Sequence, residues 1–306
     1  DTSQHLDSIV LPDKVVENIG TYFGEDGLKW VADFKQHLER VTREWEVNLQ
    51  KPFSNLSVNF VAPVTLRNGD QAVLKMGFPH KDLATECHAL CHFAGQGAVK
   101  LLRCEPSEGT MLLEYLKPGR PLKELDDDDE ATRIAAQAMK LIWKPVRDES
   151  LYPSVKDWFQ GFKKLRQRFD GNSGPFDSGM IALAENVSTE LLCGMGEQLV
   201  LHGDLHHDNI VSSNSHGWVV IDPKGVVGER EYEVGALLRN PSPEIYTKQF
   251  ERRVEILAEE LGFDRQKITQ WAFAQAVLSA VWSVDGPIDN WKSCMDWAKE
   301  ISPFID

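Results

Sequence analysis

The sequence predicts an α+β protein in two parts, a small antiparallel sheet in the amino-terminal part and a mostly helical region after it. Three observations support this prediction. Apolar residues recur at three- and four-residue steps from Asp13 to about Asn48, strand-like runs flank a turn at residues 67–70, and helical periodicity prevails after Gly119. A chain of 306 residues is long enough for two lobes that each bury a core.

Four strands are expected in the first part. Apolar runs at residues 56–64 and 72–76 lie on either side of Asn68-Gly69, a pair that favours positive φ at both central positions of a hairpin turn. Residues 99–104 and 110–116 predict two further strands around a second turn. Together these segments predict a small antiparallel sheet.

Helices are expected before, within and after this sheet. The first helical stretch, residues 13–48, is expected to break at Gly24 and Gly27, and a second helix is expected at residues 83–93. In the second part, helical patterns lie at residues 155–169, 181–193, 244–261, 264–284 and 289–300. The acidic run Asp126–Asp129 is interpreted as a solvated helix cap, because carboxylates suit the positive end of the helix dipole.

The composition is that of a soluble globular protein, with 42% hydrophobic and 26% charged residues. A formal net charge of -14 argues against nucleic-acid binding, which depends on Lys and Arg neutralising phosphates. The same charge suits a small cationic substrate, although many soluble proteins are acidic for solubility alone. Charge is therefore a weak indication of the partner.

The five cysteines form no recognisable disulfide framework, because their number is odd and their spacing irregular. Cys87, His88, Cys91 and His92 share one expected helix, but no second pair lies at a zinc-finger spacing, so packing is favoured over zinc. The amino terminus lacks a signal-peptide pattern, and no apolar run approaches the ~18–20 residues of a membrane helix. These observations predict a cytoplasmic protein that does not bind membranes.

The chemistry is concentrated in Leu201–Asp222, LHGDLHHDNIVSSNSHGWVVID. Asp204 is followed five residues later by Asn209 and then, after a hairpin-like segment, by Asp222. Metal-assisted phosphoryl transfer requires this set: one carboxylate to orient and deprotonate the attacking hydroxyl, and a carboxamide with a second carboxylate to hold Mg²⁺ on the nucleotide phosphates. The spacing therefore indicates a phosphotransferase.

Two alternatives compete for this stretch. A metallohydrolase would use the imidazoles and carboxylates between His202 and Asp208 as zinc ligands, but the familiar H-x-H-x-D-H arrangement needs His where Asp204 stands. It would also leave Asn209 and Asp222 without a function. A polar loop without catalytic function predicts no particular spacing, so the phosphotransferase hypothesis explains more of the pattern.

The longer run HGDLHHDNI…VIDPKGVVGEREYEVGALLRNP resembles the aminoglycoside phosphotransferase family, specifically its streptomycin/hydroxyurea-kinase type. The resemblance implies a bilobal protein-kinase-like fold with a small antiparallel-sheet N-lobe and a mostly helical C-lobe. Residues 1–116 would form the nucleotide-binding lobe with extra N-terminal helices. Residues 117–306 would form the catalytic and substrate-binding lobe.

The resemblance also implies residues that bind the nucleotide. Lys75 would pair with the α- and β-phosphates and with Glu86, eleven residues later on the expected helix. In the segment Leu113–Leu116, the carbonyl of Glu114 and the N–H of Leu116 would bind adenine. No G-x-G-x-x-G loop precedes Lys75, which departs from the protein-kinase pattern.

Supporting residues follow from the same resemblance. His202 would brace the catalytic loop, and Lys224 would contact the γ-phosphate or neutralise a neighbouring carboxylate. Glu233 takes the position of an acidic residue that buttresses this loop, where Asp is usual. Pro223 fixes φ directly after Asp222, so this segment is not expected to act as a conformational switch.

Substrate residues are expected after the catalytic stretch. Glu229 and Glu231 would either bind ammonium or guanidinium groups or lie on a solvated surface. The C-terminal tryptophans are expected to form core, with one or two lining a substrate wall; Trp282 with the nearby Asp285 is the candidate pair. An aromatic box of this kind would suit a quaternary ammonium such as choline.

The predicted function is ATP- and Mg²⁺-dependent transfer of the γ-phosphate to a hydroxyl of an aminoglycoside, streptomycin first, which inactivates the antibiotic. GTP in place of ATP stays open at this point, as do the acceptor hydroxyl and the oligomeric state. A kinase of choline, a fructosamine or a sugar is the alternative, and a metallohydrolase is a distant one.

Overall fold

A computed structural model describes residues 9–284 and 291–305. The described residues form two compact units. The first contains the chain up to Gly95 together with Val99–Tyr115, and the second contains Gln96–Ala98 together with the chain from Leu116 onward.

The described residues of the first unit contain two α-helices and one antiparallel sheet. The helices are α1 (Asp13–Glu44) and α2 (Lys81–Phe93). The strands are β1 (Asn48–Leu49), β2 (Phe60–Thr65), β3 (Gln71–Met76), β4 (Leu101–Glu105) and β5 (Thr110–Glu114). They lie in the order β1-β2-β3-β5-β4, so β3 is the central strand.

The core of the first unit lies between α1 and the sheet. The buried stripe of α1, which includes Ile19, Phe34 and Leu38, packs with sheet residues such as Phe60 and Leu74. Side chains on a helix recur on one face every three to four residues, and those of a strand at every second residue, so both elements present one apolar face. The expected break in the first helix falls at Gly24, where φ is 60° and ψ -143°.

The second unit contains the remaining elements. Its helices are α3 (Asp128–Ile142), α4 (Val155–Trp158), α5 (Gln160–Arg168), α6 (Ser178–Cys193), α7 (Val234–Leu238), α8 (Pro243–Leu261), α9 (Arg265–Ser283) and α10 (Trp291–Ile301). Its strands are β6 (Pro118–Pro121), β7 (Lys144–Pro145), β8 (Leu199–Leu201), β9 (Ile210–Ser213), β10 (Gly217–Val220) and β11 (Val226–Gly228).

These strands form two small antiparallel sheets, ordered β10-β9-β6 and β11-β8-β7. Helix α9 lies at the centre of the helical part, and its Trp271 is fully buried. None of the helices described in the chain has the length and apolar character needed to cross a membrane. All five cysteines are free thiols.

The acidic run before α3 differs from the solvated cap that was expected. Asp127 caps the helix by accepting a hydrogen bond from the Glu130 N–H at 3.0 Å. Asp128 instead forms an ion pair with Arg253, whose side chain is fully buried and also donates to the carbonyl of Leu237 at 3.1 Å. The cap therefore joins α3 to α8.

We expect Arg253→Leu to lower the free energy of unfolding by about 3–5 kcal/mol, because it leaves the Asp128 carboxylate and two backbone carbonyls without their donor. Urea unfolding of the purified variant measures this loss. Arg252→Leu is the matched control, since it breaks an exposed pair with Asp129 and should change stability little. Equal losses in both variants would contradict the special role of the buried pair.

Candidate active site

The predicted catalytic stretch folds as a strand, a loop and a hairpin within the second unit. Strand β8 leads into the loop that begins at His202, a short 3₁₀ helix covers His207–Asn209, and β9 and β10 form the hairpin that leads to Asp222. The hairpin predicted from the sequence is thus present.

The side chain of Asn209 is held in place by a hydrogen bond that it donates to the backbone of Asp204. Its Nδ2 donates to the carbonyl oxygen of Asp204 at 3.0 Å and lies 3.3 Å from Nε2 of His206. Because a carbonyl can only accept, the contact with Asp204 fixes which end of the carboxamide is nitrogen. The Oδ1 of Asn209 accepts no hydrogen bond from the described residues, which leaves it available to a cation.

Asp222 is placed through its neighbour Ile221. The Ile221 N–H donates to the carbonyl of Asn209 at 2.9 Å, and the Ile221 carbonyl lies 2.7 Å from Nε2 of His202. Asp222 itself is exposed and has φ of 54°, a left-handed conformation that Asp adopts more readily than most residues. The structure thus joins the segments that carry Asp204, Asn209 and Asp222 by direct hydrogen bonds.

Glu233 holds the start of the catalytic loop. Its carboxylate is buried and accepts the backbone N–H groups of His202 at 2.7 Å and of Gly203 at 2.8 Å. Burial raises the pKa of Glu233 to about 7, and the two backbone hydrogen bonds oppose that rise. Glu in place of the usual Asp therefore still contacts the loop with both oxygens.

The imidazole of His202 is fully buried and braces the loop by contacts at both ring nitrogens. Nδ1 accepts the N–H of Asp204 at 3.2 Å, so Nε2 carries the proton and donates to Ile221. Burial lowers the pKa of His202 to about 4. A neutral ring with one fixed tautomer thus links the two segments.

His206 lies beside Asp204 and Asn209, a place for which the sequence suggested no role. Its Nε2 is 3.9 Å from the Asp204 carboxylate, and its Nδ1 accepts the N–H of Asp208 at 3.3 Å. The carboxylate of Asp208 in turn lies 2.5 Å from Nζ of Lys123. In the sequence, the only sign that His206 lies near Asp204 is that it follows it by two residues within the motif.

The residues of this stretch do not form a zinc site. His207 is buried and both of its ring nitrogens lack a hydrogen-bond partner. Within residues 9–284 and 291–305, no group of three or more His, Cys, Asp and Glu side chains could hold a metal ion. A carboxylate and a carboxamide oxygen, as on Asp222 and Asn209, instead suit Mg²⁺ shared with phosphates.

The predicted lysine–glutamate pair is present in the first unit. Nζ of Lys75, on the central strand β3, lies 2.7 Å from Oε1 of Glu86 on α2, and both residues are buried. A buried pair of this kind fixes the direction of the lysine side chain, because an unpaired charge there would be costly.

The two predicted adenine-binding residues lie at the end of the first unit and the start of the second. The Glu114 N–H donates to the Lys100 carbonyl at 2.9 Å, and its side chain accepts the Lys100 N–H at 2.8 Å. Leu116 begins the second unit.

Lys224, the predicted phosphate-binding lysine, has an exposed side chain. Its backbone N–H donates to the carbonyl of His202 at 2.8 Å.

Glu229 does not face solvent, contrary to the expectation that it could bind a substrate. It is 1% exposed, and its carboxylate accepts from Trp271 Nε1 at 2.7 Å, Lys267 Nζ at 2.6 Å and the Gly196 N–H at 2.9 Å. Three donors occupy this carboxylate, so Glu229 stabilises the packing of the second unit.

The other expected substrate residues are not brought together. Glu231 lies 3.9 Å from Nζ of Lys267, near the beginning of α9, whereas Trp282 is in its last turn. Fifteen residues of helix separate these two positions, roughly 22 Å. Asp285 lies outside the described residues. Trp282 instead contacts Trp158, which the sequence did not single out, with ring centroids 5.8 Å apart.

Known proteins are similar to this chain in sequence and in fold. Residues 45–286 match the family described as aminoglycoside/hydroxyurea antibiotic resistance kinase. Streptomycin 6-kinase of Streptomyces griseus is 26% identical over 284 residues, which cover 91% of this chain and 92% of that protein. The choline kinase LicA from Streptococcus pneumoniae superposes with a TM-score of 0.64 at 16% identity, covering 89% of this chain and 99% of that one. A ternary complex of the aminoglycoside phosphotransferase APH(4)-Ia with ADP and hygromycin B gives 0.57 at 15% identity, covering 87% and 97%.

The fold is therefore that of the protein-kinase-like small-molecule kinases, with its antiparallel sheet in the first unit and a mostly helical second unit. The family match covers most of the chain, so the chain belongs to the aminoglycoside/hydroxyurea antibiotic resistance kinases. It is a phosphotransferase that acts on hydroxyl groups, which confirms the predicted enzyme class and excludes the metallohydrolase alternative.

The imidazole of His202 should stay neutral from pH 7 to pH 5, as followed by NMR of labelled histidine. Its pKa of about 4 lies below the ordinary 6.5, so the unfolded state binds more protons at this residue across the window, and the contribution of His202 to stability falls as pH falls. At pH 5 the loss is about 2 kcal/mol relative to pH 7 or above. Protonation of His202 above pH 6 would contradict the assignment.

Proposed function

We propose that this kinase transfers the γ-phosphoryl group of ATP, with Mg²⁺, to a hydroxyl of an aminoglycoside, and that streptomycin is the first candidate acceptor. The observation that supports it best is the hydrogen-bonded arrangement of the loop. Asn209 is anchored through its nitrogen to the carbonyl of Asp204, and its backbone carbonyl accepts from the residue before Asp222.

Asp204 is proposed as the residue that orients the attacking hydroxyl. Its side chain is partly exposed, while its backbone N–H and carbonyl are both occupied, by His202 and Asn209. A carboxylate held in this way can accept the hydroxyl proton as the phosphoryl group is transferred. The catalytic contribution is mainly one of positioning.

Asn209 and Asp222 are proposed to hold Mg²⁺, which when bound would neutralise charge on the nucleotide phosphates. Lys75, fixed by Glu86, is assigned to the α- and β-phosphates. Lys224 has an exposed side chain and is assigned to the γ-phosphate or to a neighbouring carboxylate. The carbonyl of Glu114 and the N–H of Leu116 are assigned to adenine.

An aminoglycoside acceptor is supported by the relatives and by charge. Relatives that span most of the chain are named streptomycin 6-kinase and streptomycin 3''-kinase. The net charge of -14 favours a cationic substrate. Phosphorylation of a hydroxyl that the antibiotic needs for binding its target would inactivate it, and this is the role we propose.

Asp204→Asn should lower kcat with streptomycin about 10³-fold, because it removes the proton acceptor while keeping the shape of the side chain. Labelled ATP measures turnover, and calorimetry should show that nucleotide binding is retained. Asp208→Asn is the control, since Asp208 lies in the same loop but pairs with Lys123. Full activity of Asp204→Asn would remove this residue from the mechanism.

The acceptor is identified by a panel of streptomycin, kanamycin, choline, hydroxyurea and a fructosamine, each tested with labelled ATP. Streptomycin should give the highest kcat/KM. Phosphorylation of another member with streptomycin unchanged would overturn the proposed acceptor and leave the kinase activity intact.

A further inference from the structure

Trp282 is the most exposed of the nine tryptophans, all of which lie in the described part of the chain. Its relative exposure is 49%, although an indole ring buries a large apolar area when it is packed inside a protein. Exposure alone does not define a binding site. The residues that contact Trp282 show how its exposed indole is positioned.

Two contacts fix the ring. Trp158 meets it edge to face, with centroids 5.8 Å apart and an interplanar angle of 89°. Gly161, inside α5, leaves room for it, since a methyl group added there would lie 3.0 Å from Nε1 of Trp282 and 2.8 Å from Cδ1 of Leu278. The indole is therefore held in one place although it is exposed, as a binding surface requires.

Trp158 connects this ring to the catalytic loop. A methyl group added at Gly203 would lie 2.8 Å from Cη2 of Trp158, so the indole packs directly on the Gly203 backbone. Gly203 has φ of 85°, which favours glycine in any case. The next residue is Asp204, whose Cα is only ~3.8 Å from that of Gly203. The two tryptophans are thus in contact with each other, and Trp158 packs on the backbone of the residue that precedes the proposed catalytic Asp204.

The position of Trp158 is itself well defined. It ends helix α4, whose first turn is closed by a capping box between Ser154 and Asp157, with hydrogen bonds of 2.8 and 3.1 Å. Its ring centroid lies 6.1 Å from that of Tyr232, which is buried. The surface is therefore anchored by the core of the second unit.

We infer that Trp158 and Trp282 form the subsite for a planar cationic group of the acceptor, a guanidinium, placed so that a hydroxyl on the same ring reaches Asp204. This inference rests on the proposed function and specifies how its substrate is recognised. A guanidinium is planar and weakly hydrated, so it stacks on indole at low cost, whereas an ammonium holds its water more tightly.

Trp282→Ala should raise the KM for streptomycin, which carries guanidinium groups, about 10-fold, because an indole–cation contact is lost. The kcat should change less than about twofold and the KM for ATP should stay constant, since no group at the reacting atoms is altered. Trp282→Phe keeps an aromatic face and should recover most of the affinity. Phe304→Ala is the control, an exposed aromatic of the same unit that packs on Phe250.

Binding is also measured without turnover. Titration of streptomycin into the nucleotide-free protein should change the tryptophan fluorescence, and this change should be smaller in Trp282→Phe even though that variant still binds. Kanamycin, whose cations are ammonium groups, is measured as substrate or competitor, and its affinity should fall less in Trp282→Ala than that of streptomycin.

The outcomes separate this inference from the proposed function. Streptomycin phosphorylated by the wild type and by Trp282→Ala with equal KM would overturn the subsite and leave the function standing. Equal losses for kanamycin and streptomycin would overturn the assignment to a guanidinium. A wild type that phosphorylates no aminoglycoside would instead refute the proposed function.

Discussion

The structure of the candidate site depends on the buried carboxylate of Glu233. It accepts two successive backbone N–H groups, those of His202 and Gly203, and so fixes the chain just before Asp204. Burying a carboxylate is costly, and its two backbone donors offset part of that cost. The extra methylene of Glu, compared with Asp, does not prevent either contact. The position of Asp204 is therefore set by a residue 29 positions later in the chain.

The neutral imidazole of His202 connects the part of the loop that Glu233 holds to the segments of the proposed metal ligands. His202 accepts from Asp204 on one side and donates to Ile221 on the other, and Ile221 also donates to Asn209. Because the ring is buried, it stays neutral and keeps one tautomer. Asp222 follows in a left-handed conformation, and such local strain persists only where the surrounding contacts determine it. The loop thus gains its geometry from hydrogen bonds to Glu233 and to Ile221 as well as from those within it.

The motif spacing and the local apolar patterns predicted the catalytic loop, the hairpin, the Lys75–Glu86 pair and the sheet. Partners distant in sequence were not predictable from periodicity: Asp128 and Arg253 are 125 positions apart. The prediction for the hairpin turn was only half right. Positive φ was expected at both Asn68 and Gly69, but of these two only Gly69 has it, and the side chain of Asn68 instead accepts a hydrogen bond from the Asp70 N–H. The proline-rich β6, for which the sequence predicted no strand, pairs as an edge strand, where missing N–H donors are tolerated.

The acidic residues of the sequence did not predict correctly where the substrate binds. The acidic residues after Asp222 suggested carboxylate ligands for a cation, but Glu229 is occupied by three donors and Glu231 lies near Lys267. Helix α9 places that cluster and Trp282 near its opposite ends. Beside Gly203 the structure offers indole surface, which attracts a planar cation without a desolvated acid. The proposed selectivity for a guanidinium follows from this difference, because a carboxylate attracts ammonium and guanidinium groups alike, whereas stacking on indole favours the planar, weakly hydrated guanidinium.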